Sequence, residues 1–600
     1  VIQARWTVFA VIPASLLMTG ALRAQRRDDA AGTGVPSVAQ GDWTMPAKND
    51  AATRFSSLSE INTTDAGRLE PVWTFSTGVL GGHEGQPLVV NNTMYVVTPY
   101  PDVLYAFDLT KEGYPLKWKY RPDVNPASLG SACCDAINRG AVYADGKIIY
   151  NLLDGHTVAV NAVTGKLVWK TKVADLGQGE TTPMAPFVVK DRVIIGPSGG
   201  EFGIHGWVKA LDLKTGKLVW TAYNAGPDSV IRSDPKTFHS YYLKGTELAL
   251  KSWEGDTWKS GGLPVWGWLS YDPVLDLLYY GVGNAAPYNS DQRIGDNLWA
   301  SSVLARRPED GSLVWAYQFT PHENWDFDSN AEMILADLTI DGKLRDVLVH
   351  FDKNGFAYTI DRKTGQVLVA KPFVRVTWAK GIDLKTGRPI IDSTKLTGAS
   401  RGNVTQICPS LEGGKSPASP SAYSPRTGLF YTATNNLCMS YDATQAAHIS
   451  GTPYIGANTP YQPGPGGYMG AFIAWDAVHG RKVWEIKEKF PVWSGSVATA
   501  GNVVFYGTLD GWFKAVNATN GTVLWKFKVG SGVVGSPIVY RGPDGKEYVA
   551  VYSGIGGDWF LLAGDVRSDD PSDVRPRPDF APDIARYTSQ GGMVWVFGLR

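Results

Sequence analysis

Several things are scarce or missing in this chain, and each absence narrows the reading. Lys plus Arg and Asp plus Glu balance at 57 each, so no overall charge bias points to nucleic acid or an anionic membrane. There are only eight His among 600 residues, and they form no zinc-ligand cluster. His322-Glu323-Asn-Trp-Asp326 resembles a zinc-protease helix, but Asp replaces its second His. No Cys-x-x-Cys-His is present, so the chain carries no covalent c-type haem. Beyond the first residues no stretch of 18 unbroken apolar residues occurs, so no membrane span is expected. Helical periodicity is scarce, which excludes an α/β fold.

The first residues read as a secretory signal peptide over 1–24. Arg5 precedes a mostly apolar stretch from Val8 to Leu22, and Ala24 offers a small residue for cleavage. The remainder, 25–600, is expected to be one exported domain. Its four cysteines, Cys133, Cys134, Cys408 and Cys438, are an even count, which fits two disulfides in an oxidising compartment.

What the chain has in abundance is Gly (67), Pro (37) and Trp (22), the composition of many short elements joined by tight turns. One phrase recurs: Ala, any residue, Asp or Asn, a short turn, Gly, three residues, Trp. It appears at Ala159-Val-Asn161 with Gly165 and Trp169, and at Ala210-Leu-Asp212 with Gly216 and Trp220. It returns at Ala474-Trp-Asp476 with Gly480 and Trp484, and at Ala515-Val-Asn517 with Gly521 and Trp525. Weaker copies end at Trp73, Trp118 and Trp315, and the copy with Asp361 and Gly365 has Val369 where Trp belongs. Each copy reads as strand, turn, strand, and the spacing of roughly 50 residues suits one four-stranded blade per repeat. The expected fold is therefore all-β, an antiparallel β-propeller; seven or eight blades fit, and eight is the number adopted. Gly592 to Leu599 reads as a strand that closes the ring with the N-terminal part. Gly530-Ser-Gly532-Val-Val-Gly535 spells GxGxxG, but Ser536-Pro537 and β-branched residues follow it, so it reads as a turn between blades.

A propeller alone gives no function. The adjacent pair Cys133-Cys134 is the sharpest local feature. Neighbouring Cα atoms sit ~3.8 Å apart, shorter than the usual disulfide span, so the pair is either a small strained ring or two separate thiols. Its flank, Cys133-Cys134-Asp135-Ala-Ile-Asn138-Arg139-Gly140, resembles the methanol/ethanol family of dehydrogenases that depend on pyrroloquinoline quinone (PQQ). So do His83-Glu84-Gly85, Gly199-Gly200-Glu201, Trp266-Gly-Trp268, Gly281-Val-Gly-Asn284, Trp325-Asp326-Phe-Asp328, Asp352-Lys353-Asn354-Gly355 and Val492-Trp493. The likeness runs from about residue 40 to the C-terminus, in the family's order, and the family's eight-bladed fold agrees with the repeats.

The resemblance implies specific roles. Cys133–Cys134 would be a vicinal disulfide against one face of the quinone, with Trp266 as the floor on the other. Glu84 and Arg139 would hold its polar edge, and a planar guanidinium suits a carboxylate. Ser198, Gly199 and Gly200 would contact it beside the metal, Trp493 and Trp559 would close the site, and Lys353 would donate to the quinone oxygens. Glu201 and Asn284 would bind the metal as hard oxygen donors. Asp326 and Asp328 would also bind the metal, and Asp326 would be the catalytic base, taking the hydroxyl proton of a primary alcohol while hydride moves to quinone C5. Asp328 is acidic in the family's lanthanide members and not in its calcium members. Three carboxylates, Glu201, Asp326 and Asp328, favour a trivalent ion, so a light lanthanide (La or Ce) is expected and Ca²⁺ is the second choice. Cys408 and Cys438 would form a second disulfide. Without haem on the chain, a separate periplasmic cytochrome c would take the electrons, and a homodimer is a form the family offers. Pro183, Pro264, Ser416 and Asp558 depart from the family pattern, which leaves the preferred alcohol open among methanol and other short alcohols. The competing reading is a non-catalytic propeller scaffold of the outer-membrane assembly type.

Overall fold

A computed structural model describes residues 41–557, 581 and 583–600 of the chain. Eight blade sheets are present among the described residues, seven of four antiparallel strands and one, blade 7, extended by Phe55–Ser56 pairing in parallel at its edge. In chain order, blade 1 opens with Leu88–Val90, blade 2 with Ala141–Ala144, blade 3 with Phe187–Val189 and blade 4 with Leu269–Asp272. Blade 5 opens with Ile334–Ile340, blade 6 with Ala422–Ser424, blade 7 with Val497–Thr499 and blade 8 with Ile538–Arg541. The ring closes as the sequence led us to expect: Met593–Leu599 of blade 8 pairs antiparallel with Leu69–Ser76, Leu599 opposite Leu69. No helix exceeds four residues among those described, and none is long and apolar enough to cross a membrane. The expected signal peptide at 1–24 and Trp559 lie outside the described residues.

The repeated phrase has a packing reason. The indole of one blade lies flat on the turn glycine of the next. A Cβ on Gly216 would sit 2.6 Å from the Trp169 ring, and one on Gly311 would sit 2.7 Å from that of Trp220. Each ring then donates its Nε1–H onward: Trp169 to the Leu213 carbonyl at 3.2 Å, Trp220 to Pro308 at 3.0 Å, Trp315 to Arg362 at 3.1 Å. Burying a large ring while satisfying its one polar atom is an efficient blade-to-blade joint. The joint from blade 5 to blade 6 lacks it. There Val369 meets Gly480, and the Thr359 hydroxyl donates to the Ala477 carbonyl instead.

Two excursions decorate the ring. Residues 373–421 carry the ribbon Ala379–Asp383/Arg388–Ile391 and then Val404–Ile407, which pairs with Leu437–Ala443, an extra strand inserted into blade 6. The Cys408–Cys438 disulfide ties these two segments together. The GxGxxG segment lies in the connection between Val523–Lys528 of blade 7 and Ile538–Arg541 of blade 8, a turn between blades.

Antiparallel topology decides where function can gather. The loop entering a blade's first strand and the loop leaving its second strand emerge at the same end of the sheet. Glu84, Cys133–Arg139, Trp266, Asp326, Asp328 and Trp493 lie on loops entering first strands. Ser198–Glu201, Asn284, Lys353 and Gly557 follow second strands. All of them therefore collect at one end of the propeller.

Candidate active site

At that end, Cys133 and Cys134 are bonded to each other just after the single helical turn Ser128–Ser131. The loop that carries them is pinned by Asp135, whose carboxylate accepts the backbone N–H groups of Gly82 at 2.9 Å and Gly557 at 3.0 Å. Blades 1, 2 and 8 are thus joined at the disulfide. Asp135 stands in the cysteine motif itself, yet its role as a clamp shows only in three dimensions.

Arg139 links two other expected cofactor residues, Glu84 and Trp266. Its guanidinium pairs with Glu84 at 2.9 Å, with both side chains almost fully buried. The guanidinium carbon lies 4.6 Å from the Trp266 ring centroid, and Nη1 donates to the Trp266 carbonyl at 3.4 Å. The Arg139 backbone N–H donates to the carbonyl of Pro183 at 2.9 Å. Trp266 is in turn held by Asn330, whose Oδ1 accepts its backbone N–H at 3.2 Å. Trp493 is buried and donates its Nε1–H to Asn435 at 3.0 Å, while its carbonyl accepts from Ser419. The Ser416 hydroxyl accepts the Ala418 backbone N–H at 3.3 Å, and its carbonyl accepts that of Ser419 at 3.1 Å.

The acidic centre lies across from these groups. Lys353 bridges Asp326 at 3.1 Å and Asp328 at 2.8 Å. The second oxygen of Asp328 accepts the Asn284 backbone N–H at 2.7 Å. Gly200 makes room for the Asn284 amide: a Cβ there would stand 2.5 Å from Asn284 Oδ1. Pro264 packs on the same place, its ring close to both Gly200 and Gly283. Glu201 is approached by the Tyr288 hydroxyl at 3.4 Å, a contact with no local signature in the sequence. Ser198 exchanges backbone hydrogen bonds with Thr181, and Gly199 and Gly200 lead into the tight turn that presents Glu201.

The charges do not balance. One ammonium faces Asp326 and Asp328, with Glu201 nearby. Burial pushes the Asp326 carboxyl well above the usual range; Lys353 opposes that, and the charges of Asp328 and Glu201 add to it. Burial also works against the Lys353 ammonium, but Asp326 and Asp328 together hold it above the ordinary lysine range. Asp326 Oδ1 and both polar atoms of the Asn284 amide are buried with no hydrogen-bond partner. Buried polar groups rarely go unsatisfied without a reason. Among the described residues no three His, Cys, Asp or Glu form a closed metal cluster. The donors here are the Asn284 amide oxygen and the carboxylates of Asp326 and Asp328, with Glu201 nearby. This set suits a hard, oxygen-seeking cation and disfavours a thiophilic or imidazole-seeking one.

Comparison with known proteins gives the family. The family model described as "PQQ: Glucose/ethanol/alcohol dehydrogenase, beta-propeller domain" matches residues 43–376 and 473–549. The chain is 50% identical to the lanthanide-dependent methanol dehydrogenase of Methylacidiphilum fumariolicum (strain SolV) over 570 residues, 93% of this chain and 92% of that protein. It is 41% identical to methanol dehydrogenase (cytochrome c) subunit 1 of Methylobacterium organophilum, covering 94% of this chain and 92% of that one. A solved europium-containing methanol dehydrogenase superposes with a TM-score of 0.89 at 50% identity, covering 93% of this chain and 98% of that chain. The coverage is nearly complete and the fold is shared, so the chain belongs to the PQQ-dependent alcohol dehydrogenase family of β-propeller enzymes.

Proposed function

We propose that this enzyme oxidises primary alcohols, methanol or other short ones, to aldehydes in the periplasm, using PQQ and a light lanthanide ion. The observation that carries the reading is the unsatisfied pair at the acidic centre: Asp326 Oδ1 and the Asn284 amide, both buried and without partners. When bound, PQQ would supply a two-electron hydride acceptor, with C5 as the expected position, and the ion would supply Lewis acidity.

The chain's own residues do the rest. Asp326 takes the alcohol hydroxyl proton at its free oxygen, Oδ1, while Lys353 holds the other oxygen and fixes the carboxylate plane. Burial excludes water from this proton. Glu201, Asn284, Asp326 and Asp328 would hold the ion. Glu84 and Arg139 would bind the cofactor's polar edge; Ser198, Gly199, Gly200 and Lys353 would add contacts. Cys133–Cys134 and Trp266 would stack on its faces, and Trp493 and Trp559 would close the pocket. Pro264 beside Gly200 offers no hydroxyl to cofactor or substrate, which bears on substrate range.

A relative of this chain is named for cytochrome c, and no haem motif is present here. A separate cytochrome c is therefore the proposed acceptor. Residues 1–24 are proposed as the export signal and 25–600 as one propeller domain, with a homodimer as its assembly. A non-catalytic scaffold would have no use for a buried, charge-imbalanced cluster.

Reconstitution tests the reading. The protein is loaded with PQQ and either La³⁺, Ce³⁺ or Ca²⁺, and alcohol-dependent dye reduction is followed along a chain-length series. Activity should appear with the lanthanides. Full activity with Ca²⁺ and no gain from La³⁺ or Ce³⁺ would overturn the metal assignment. No quinone absorbance and no oxidation under any condition would favour the scaffold.

A further inference from the structure

Glu323 is a buried carboxylate that the mechanism above does not use. It lies three residues before Asp326, on the same loop entering blade 5. One of its oxygens, Oε1, accepts the backbone N–H of Phe327 at 3.0 Å and that of Trp325 as well. These amides stand on either side of the Asp326 residue. Between them Asp326 has a φ of +65°, in the left-handed region that residues other than glycine adopt uncommonly. A backbone in such a region persists when its surroundings over-determine it.

Glu323 is itself anchored. The buried Arg293 donates from Nη2 to the Glu323 carbonyl at 2.5 Å, and the same nitrogen lies 4.0 Å from the Glu323 carboxylate. Its Nε donates to the Pro287 carbonyl at 2.7 Å and its Nη1 to Asn297 Oδ1 at 2.9 Å. Pro287 precedes Tyr288, whose hydroxyl reaches Glu201. Arg293 therefore ties the loop of Asp326 to the loop of Tyr288. On the other side, Trp325 donates Nε1–H to the Lys395 carbonyl at 2.8 Å, and Asn324 Oδ1 accepts the Thr397 N–H at 3.0 Å.

A buried ion pair is a weak device for stability, because desolvation offsets much of the attraction. Two backbone bonds converging on one carboxylate oxygen do something an apolar residue of the same size could not. They fix the two peptide planes that flank Asp326, and with them the direction of its side chain. An acceptor drawn back from those amides would leave two buried donors unsatisfied, which favours a backbone rotated out of the bend.

We propose that Glu323 is a positioning residue for the base: its Oε1 clamps the two amides beside Asp326 and so aims the Asp326 carboxylate, with Arg293 as the anchor. The role of Asp326 as base rests on the proposed function; the clamp on its backbone does not. The clamp works by reach and not by charge.

Two substitutions separate reach from charge. Glu323→Asp keeps the charge and withdraws the carboxylate by one methylene, whereas Glu323→Gln gives up the charge and keeps an oxygen at the same reach. Rates are measured on the PQQ- and La³⁺-loaded proteins and counted per bound quinone, which removes any fraction that fails to fold or load. Glu323→Asp should lose roughly 10²-fold in kcat and in kcat/KM alike, the worth of about 1 Å of misplacement. Glu323→Gln should turn over at least about tenfold faster than Glu323→Asp. In the metal-free proteins, amide hydrogen exchange over residues 322–328 should be faster in Glu323→Asp than in wild type or Glu323→Gln. Wild-type kcat in Glu323→Asp, or a loss in Glu323→Gln as large as in Glu323→Asp, would overturn the positioning role. So would a rise in KM with kcat unchanged. Unchanged exchange in Glu323→Asp would overturn the clamp. A wild-type protein that oxidises no alcohol would instead fell the proposed function, and the exchange result would then decide the clamp alone.

Discussion

Asp328 is the residue on which the metal assignment turns, and Asp328→Asn isolates its charge. The wild-type carboxylate accepts from the Asn284 N–H at 2.7 Å and from Lys353 at 2.8 Å. An asparagine oxygen can keep the first bond, so the loop that carries Asn284 should hold its place. What disappears is one negative charge facing the ion. A trivalent ion carries one more unit of charge than Ca²⁺, and one pair of unit charges about 4 Å apart is worth about 4 kcal/mol at an effective dielectric of 20. Lys353 neutralises part of the Asp328 charge, so a differential of roughly 1.4 to 4 kcal/mol is expected, a tenfold to thousandfold fall in the La³⁺ over Ca²⁺ affinity ratio. Competition against a chelator on the metal-free protein measures that ratio directly. Asp328→Ala provides the contrast, because it also orphans the buried Asn284 N–H, at a cost of about 1–3 kcal/mol in folding stability. If the La³⁺/Ca²⁺ ratio in Asp328→Asn stays within twofold of wild type, charge count does not set metal preference here and the reasoning fails.

Three further outcomes are expected. Asp326→Asn should lower kcat by roughly 10²- to 10⁴-fold, the usual worth of a general base, with quinone absorbance retained; near-normal turnover would remove Asp326 from its role. His83 is buried between the Gly81 carbonyl and the Thr77 hydroxyl, and burial brings its pKa down to about 4. Between pH 6.5 and 4 the unfolded chain therefore binds more protons than the folded one. The contribution is fully present above the unfolded value and is lost as pH falls, about 2 kcal/mol between about pH 7.5 and pH 5. Urea midpoints at the two pH values should show this slope in wild type and a shallower one in His83→Gln. Trp220→Ala should cost about 3–5 kcal/mol, since it empties a blade joint and abandons the Pro308 carbonyl, and thermal unfolding reads the loss.

The blades were readable in the sequence because a hairpin is local. Asn161, Gly165 and Trp169 lie within nine residues, and a tight turn dictates those residue types at those places. The partners of the site were not readable in that way. Asn435 reaches Trp493 across 58 positions, and Asp135 reaches Gly557 across 422. Neither carries a spacing that announces its contact. Tyr288 beside Glu201 was missed for the same reason.

By itself, the sequence determined that this chain is an all-β propeller closed by its C-terminal strand, with paired cysteines and the motifs of a quinone-dependent dehydrogenase. Short-range repetition is enough for that, since each blade repeats one local solution. Only the tertiary structure decided which motif residues meet. It joined Glu84, Arg139 and Trp266, set Lys353 between two aspartates, and left Asp326 Oδ1 and the Asn284 amide buried without partners. The physical reason is closure: loops that are distant in the chain come to one end only once eight sheets have been bent into a ring.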